Sequence, residues 1–240
     1  MSTDDAAAKF DMVRAGEYEK QSRIALAGYD ACHDLAACML AAAIGPDARA
    51  RVLVVGAGGG ANEIVKTAAL EPNWRFAAVD PSRPMLDLAS AQLVAAGLME
   101  RTTIVHGTVA DLAAEERFDA ATLIGVLHHL RGNDAKHEIL RSIALRLGPG
   151  APLILACNHQ HYASQPLLLA AWATRWRQQG APPDEVGAKL ATILTGADPP
   201  PSEQAVATGL DQAGFEPPLR FFASLFWGAW ITRRRSDPRS

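Results

Sequence analysis

The chain has 240 residues, 49% of them hydrophobic and 20% charged, which is enough apolar surface for a sizeable core and too much for a chain disordered over most of its length. Its 23 Lys and Arg are outnumbered by 26 Asp and Glu, giving a formal charge of −3; a free-standing nucleic-acid coat protein, which needs a basic excess against phosphate, is therefore disfavoured. Three cysteines, Cys32, Cys38 and Cys157, cannot staple a fold and point to a reducing compartment.

The polar, acidic start MSTDDAAAKF lacks the basic flank and apolar centre of a secretory signal. Tyr18 to Ile44 is Ala-rich and helical in composition, and its longest apolar run, Leu35 to Ile44, is well short of the roughly 20 residues that span a bilayer. These features predict a cytoplasmic protein with no membrane partner.

From Arg51 onward short β-branched runs alternate with longer helical ones, the pattern of helices covering both faces of a parallel sheet. Strands are predicted at Arg51 to Val55, Arg75 to Val79, Thr102 to Val105, Phe118 to Ile124 and Pro152 to Cys157, apolar without clean alternation and so buried on both faces. Helices are predicted over Ala61 to Leu70, Ser82 to Ala96 and Asn133 to Leu147, the last two followed by glycine stops. Tyr162 to Ala213 reads as three helices broken by Gly180-Ala181-Pro182-Pro183 and by Ala197 to Pro201. Two final runs, Pro218 to Ala223 and Phe226 to Thr232, are separated by two residues, too few for a parallel crossover, so they form an antiparallel hairpin. The expected layout is one domain: a helical cap (1–50), a core (51–157), a helical lid over a substrate (158–213) and a closing hairpin (214–233). The arginines at 233, 234, 235 and 239 read as a solvated tail.

The most informative stretch is VLVVGAGGGANEI, Val52 to Ile64, where a buried strand runs into four glycines (Gly56, Gly58, Gly59, Gly60) and then a helix. Without Cβ atoms a ligand can lie against the backbone, and the helix start offers N–H groups to an anion. Gly56-x-Gly58-x-x-Ala61 also fits a dinucleotide fingerprint. Asp80, closing the second strand, suits a carboxylate that holds ribose hydroxyls in either case.

The full series VLVVGAGGG, AAVDPSRPMLDLA, IVHGTVADL, FDAATLIGVLHHL and LRLGPGAPLILAC resembles the class I S-adenosylmethionine-dependent methyltransferases in order and spacing. The resemblance implies a Rossmann-like α/β fold: a mixed seven-stranded sheet with a C-terminal antiparallel hairpin and helices on both faces. It implies S-adenosyl-L-methionine as cofactor and S-adenosyl-L-homocysteine as product. By resemblance Gly56, Ala57 and Gly58 line the methionine part through backbone N–H groups, Asp80 takes the ribose hydroxyls beside Pro81, and Met85 packs on the adenosine. Thr108 and Val109 stand at the adenine edge, Ile124 and Gly125 pass under the sulfonium, and Tyr29 reaches over the amino-acid end. Val54 and Thr108 replace residues that are commonly acidic, Asp111 being a candidate to compensate for the second; each loss costs on the order of 1 to 2 kcal/mol.

A narrower likeness, carried by Ala27-Gly28-Tyr29 and by Gln212 to Glu216, is to the carboxy-S-adenosylmethionine synthase branch, which acts in tRNA wobble-uridine modification. An arginine expected there to grip the extra carboxylate falls on Gly209, which cannot donate, so ordinary S-adenosylmethionine is expected. A non-catalytic S-adenosylmethionine-binding protein is the alternative of another class, and a dehydrogenase ranks last.

Methyl transfer is an in-line displacement that needs alignment above all, with a general base optional. Base candidates are His128 and His129 after the fourth strand, and His159, His161 and Tyr162 after the fifth. Cys157-x-His159-x-His161 beside His128-His129 has the residue types of a transition-metal site, but no carboxylate is near in sequence, and no metal is expected. Trp172, Trp176, Phe221, Phe222, Phe226, Trp227 and Trp230 suit a flat or lipophilic small-molecule acceptor. Arg175 and Arg177 are placed to meet an acidic one. The expected partners are thus a small molecule and, with nothing against it, a second copy of the chain as a homodimer.

Overall fold

The computed structural model describes residues 20–46 and 48–236. Tyr18 and Arg239, included in the helical cap and the basic tail above, lie outside them. Five parallel strands form the centre: β1 (Arg51–Val55), β2 (Arg75–Asp80), β3 (Thr102–His106), β4 (Ala120–Ile124) and β5 (Pro152–Asn158). The hairpin strands β6 (Leu219–Ser224) and β7 (Trp227–Arg233) complete a sheet of order β3-β2-β1-β4-β5-β7-β6. β7 lies antiparallel to both β5 and β6. This is the mixed seven-stranded α/β sheet expected, and the chain reverses its direction of travel across the sheet between β1 and β4, where ligands bind in open α/β folds.

Among the described residues the sheet is surrounded by α1 (Tyr29–Ile44), α2 (Asn62–Leu70), α3 (Arg83–Ala95), α4 (Gly132–Arg146), α5 (Pro166–Gln178), α6 (Pro183–Gly196) and α7 (Glu203–Gln212). Alternate strand residues feed two cores. Leu53, Val55, Leu123, Leu153 and Leu155 meet α4 and α7 on one face, while Val52, Val54, Phe76, Ala120 and Ile154 meet α1 and α2 on the other. Because both faces are covered, the strands carry apolar residues in unbroken runs.

Three boundaries differ from the expectation for physical reasons. The N-terminal helical region is two pieces, 20–25 and α1, separated at Gly28, whose φ of 83° is left-handed. Phe118 makes an isolated bridge to Leu147 before β4 begins at Ala120. The third helix assigned to the lid, α7, buries Val206 and Leu210 in the core with α4, so of the three only α5 and α6 contribute to the separate third cluster. The basic cluster is also no solvated tail. Arg233 donates to the carbonyls of Ala43 and Gly150, Arg234 to that of Ala144, and Arg235 pairs with Asp211. These side chains close the C-terminal strand onto the helices, a role that composition at a chain end does not reveal.

A third, smaller cluster lies under the lid, where Ile24, Tyr162, Trp172, Trp176, Val186 and Phe226 pack together. Trp172 donates its indole N–H to Ala25 O at 2.9 Å, and Arg175 donates to the carbonyls of Ile24 and Arg23 at 2.8 Å each. No described helix is long and apolar enough to cross a membrane.

Candidate active site

At the end of β1 the chain coils through left-handed backbone at Gly56, Gly59, Gly60 and Ala61 before α2 begins. A Cβ on Gly56 would lie 2.2 Å from Val126 Cγ2, and one on Gly58 would lie 2.4 Å from Met85 Cβ and 2.8 Å from Asp80 Oδ2. Any side chain at either position would collide with Val126, Met85 or Asp80, so these neighbours can pack against the loop only because both positions are glycine. The loop's own donors are engaged: Gly56 N–H and Ala57 N–H both donate to Val79 O, at 2.8 and 3.2 Å, and Gly58 N–H donates to Asp80 Oδ2 at 3.0 Å. Gly56 and Gly58 thus offer bare Cα surface, whereas the resemblance implied N–H donors. Ala57 is fully buried.

Asp80 ends β2 beneath this loop. Its two oxygens accept separately, Oδ1 from Ser82 N–H at 2.8 Å and Oδ2 from Gly58 N–H at 3.0 Å, so each keeps acceptor capacity for an outside donor. Burial raises the Asp80 carboxyl above its ordinary value, and the two backbone bonds work the other way.

A cavity of about 540 Å3 opens from the glycine loop. Tyr29, Gly56, Gly58, Ile124 and Gly125 line one part of it, and His128, His129, Asn158, Tyr162, Trp172, Trp176 and Trp227 the part under the lid. Asp80 and Met85 are against the loop, and with Pro81, Thr108 and Val109 they are off this wall. Asp111, the candidate to compensate for Thr108, is exposed and off this wall. Its carboxylate already accepts from Thr108 N–H at 2.7 Å and Thr108 Oγ1–H at 2.9 Å in a local cap, which holds the carboxyl below its usual range.

The histidine candidates separate. His159 is buried away from the cavity, where its backbone N–H donates to Phe226 O at 2.8 Å and its Nδ1 lies 3.0 Å from the same oxygen; its ring meets Trp230 edge-on. Burial lowers its pKa. His161 is exposed and off the wall. Cys157 is buried in the core and its thiol is pushed up to about 12, so Cys157, His159 and His161 do not converge as an extended segment would bring them.

His128 and His129 do line the cavity, on a single helical turn (Leu127–His129) after β4. His128 Nδ1 accepts from Asn158 N–H at 3.3 Å, which leaves Nε2 as the ring's donor in the neutral form. Tyr162 Oη accepts from Asn158 Nδ2 at 2.9 Å, and burial holds its phenol well above the ordinary value. Burial thus favours the protonated phenol.

Of the aromatic residues singled out above, only Trp172, Trp176 and Trp227 reach the wall. Phe221 and Phe222 pack against the α1 face of the sheet, Phe226 under the lid, and Trp230 in the opposite core. Arg175 is bound to the helical piece before α1, and Arg177 donates to Thr174 on its own helix. Gly209 packs near Leu140, outside the cavity, so the position matched to a carboxylate-gripping arginine is not at this site.

Polar wall residues missed from the sequence include Gln21, His33, Glu63, Asn158, Glu185 and Lys189. Glu63 follows the glycine turn directly, and that adjacency was a readable signal. His33, Gln21 and the lid pair Glu185 and Lys189 are brought in by tertiary packing alone.

Residues 53–153 match the protein family described as Methyltransferase domain. Among solved structures, the chain is similar to an O-methyltransferase family 2 protein from Planctomyces limnophilus in complex with apigenin, at 15% identity over 98% of this chain and 62% of that one, with a TM-score of 0.64. It is similar to human N-acetylserotonin methyltransferase in complex with S-adenosylmethionine, at 13% identity over 94% of this chain and 57% of that one, TM-score 0.63. It is also similar to mitomycin 7-O-methyltransferase, at 21% identity over 96% of this chain and 62% of that one, TM-score 0.60. The chain therefore spans about six tenths of the length of each of these proteins.

Proposed function

We propose, from the premise that this is a class I S-adenosylmethionine-dependent methyltransferase, that the chain transfers a methyl group to a flat small-molecule acceptor held under the α5–α6 lid. The observation that carries the reading is the one continuous cavity, with the glycine loop at one part of its wall and three tryptophans at another. The loop suits the cofactor, since Gly56 and Gly58 present bare backbone to the cavity. S-adenosylmethionine supplies an electrophilic methyl group on a sulfonium.

The chain's own residues supply alignment. Asp80 has an acceptor site on each oxygen for the two ribose hydroxyls. Ile124 and Gly125, at the carboxyl end of β4, form the floor between the loop and His128. The tryptophan walls orient a planar ring and exclude water; holding two reactants in line supplies roughly 7 to 11 kcal/mol. Tyr162 O–H and the Nε2–H of His128 are donors toward an acceptor atom, suited to an oxygen that arrives ionised or becomes so. These donors support oxygen over nitrogen or carbon as the acceptor, with His129 the remaining base candidate. The neighbours act in the same sense: two are O-methyltransferases by name, and one was crystallised with the flat phenol apigenin. We keep 1–240 as one methyltransferase domain, cytoplasmic and homodimeric, within this proposal.

Thermal unfolding with S-adenosylmethionine, S-adenosylhomocysteine, NAD and NADP tests the reading. At a ligand concentration 100 times Kd the stabilisation is about 2.7 kcal/mol, expected for S-adenosylmethionine and S-adenosylhomocysteine only. Asp80→Ala should remove most of that shift. Stabilisation by NAD or NADP in place of the adenosyl ligands would overturn the assignment.

A further inference from the structure

Two cavity residues have no part in the chemistry above. Glu63 is in the first turn of α2, just past the glycine loop, and its side chain is 10% exposed; His33 on α1 is 3% exposed. His33 Nδ1 lies 2.9 Å from Tyr29 O, which fixes the ring and turns its other nitrogen toward Glu63. The distance from His33 Nε2 to Glu63 Oε1 is 3.7 Å, an ion-pair contact longer than a hydrogen bond. A carboxylate so enclosed has exchanged water for a single loose neighbour, and a buried charge of that kind favours a second, closer partner of opposite sign.

The loop side of the wall offers no competing carboxylate from the strand beneath. Val54 and Val55 are buried apolar residues. The other charged pair on the wall, Lys189 with Glu185 at 3.2 Å, belongs to the lid helix α6 and is already matched. The wall beside the loop therefore carries one anion, Glu63, braced by an imidazole and able to take a cation. The amino-acid tail of an adenosyl methionine ligand is a zwitterion, with an ammonium and a carboxylate on one carbon.

We infer that Glu63 binds the α-ammonium of the cofactor's methionine tail, with His33 as the positioning residue that holds the Glu63 carboxylate toward the loop. The inference rests on the cofactor reading above and adds to it the group that distinguishes a ligand with a charged tail from one that ends at the sulfur.

Isothermal titration at pH 7.5 tests it with three probes: S-adenosylhomocysteine, its analogue lacking the α-amino group, and 5′-methylthioadenosine, which lacks the whole tail. Glu63→Gln should weaken S-adenosylhomocysteine by about 10- to 100-fold, the range for a hydrogen bond to a charged group, and leave methylthioadenosine within about twofold. Wild type should lose a similar factor on passing to the desamino analogue, and Glu63→Gln should lose little more. The wild-type comparison needs no variant to fold. Equal wild-type affinity for S-adenosylhomocysteine and the desamino analogue, or equal loss of S-adenosylhomocysteine and methylthioadenosine in Glu63→Gln, overturns the assignment of Glu63 while leaving the cofactor in place. Failure of all three probes to bind wild type overturns the cofactor reading, and this inference with it.

Discussion

The glycine-loop half and the lid half of the cavity are built by different means. Around the loop, position is set by backbone: Gly56 and Ala57 N–H on Val79 O, Gly58 N–H on Asp80, and strands whose alternate residues are buried on two faces. Under the lid it is set by a few large side chains, with Trp172, Trp176, Tyr162 and Phe226 clustered over the sheet edge and tied to the N-terminal helical piece through Ala25 O. Backbone ladders fix a site to within the tolerance of the fold, whereas a small satellite cluster has low local stability and opens first. The arrangement suits a protein that must hold one ligand in a fixed frame and admit another.

Truncating Trp172 is the severest test of that division. It is fully buried and touches Tyr162 and Phe226 at ring separations of 5.7 and 5.5 Å. Trp172→Ala should cost about 3–5 kcal/mol in the lid cluster, seen as faster amide exchange over α5 and α6, while S-adenosylhomocysteine affinity falls by less than about fivefold because the loop is untouched. An affinity loss as large as that of Asp80→Ala would show that the two halves form one cooperative unit. Gly56→Ala strikes the other half: left-handed backbone costs about 1–2 kcal/mol for an alanine, and the new methyl must displace Val126. The expected result is a total destabilisation of about 2–3 kcal/mol, read from denaturant midpoints, with S-adenosylhomocysteine binding lost and amide exchange in the lid unchanged relative to the global value.

The same contrast explains what could be read from the sequence. Strands buried on both faces appear as apolar runs, and the glycine turn with Asp80 is marked by residue types that the backbone requires, so the mixed sheet and the glycine-loop half of the cavity were legible. The wall under the lid was legible only in its aromatic content. Trp227 faces the cavity and Trp230 the opposite core, a choice made by the β5–β7 register, in which Asn158 pairs with Trp227 and Leu155 with Trp230. His159 looked equivalent to His128 as a base candidate, yet it is held against Phe226 O because the turn between β6 and β7 folds back over the end of β5. His33 and Glu63 come from α1 and α2, 30 positions apart, and no local pattern announces their meeting.

The smallest expected effect concerns the joint between the halves. Asp198, in the connection after α6, accepts from Gly132 N–H at 2.7 Å and from Lys136 Nζ at 2.8 Å, and its own N–H donates to His128 O at 2.8 Å. Lys136 is 7% exposed, so its ammonium depends on this carboxylate. Burial raises the Asp198 carboxyl, but Lys136 and Gly132 outweigh it and the net shift is downward. A carboxyl lowered in the folded state stabilises the fold above its ordinary range, and that contribution disappears as pH falls through the folded-state value. Asp198→Asn should therefore destabilise by about 1–2 kcal/mol at pH 7, because the carboxylate is partly exposed and screened. Urea unfolding of wild type and variant should give a constant difference above about pH 5 that narrows below the ordinary carboxylate value near 3.8. A difference that does not change with pH would mean that the Asp198 side chain acts through shape and hydrogen bonding to Gly132, and that charge does not join the lid to α4.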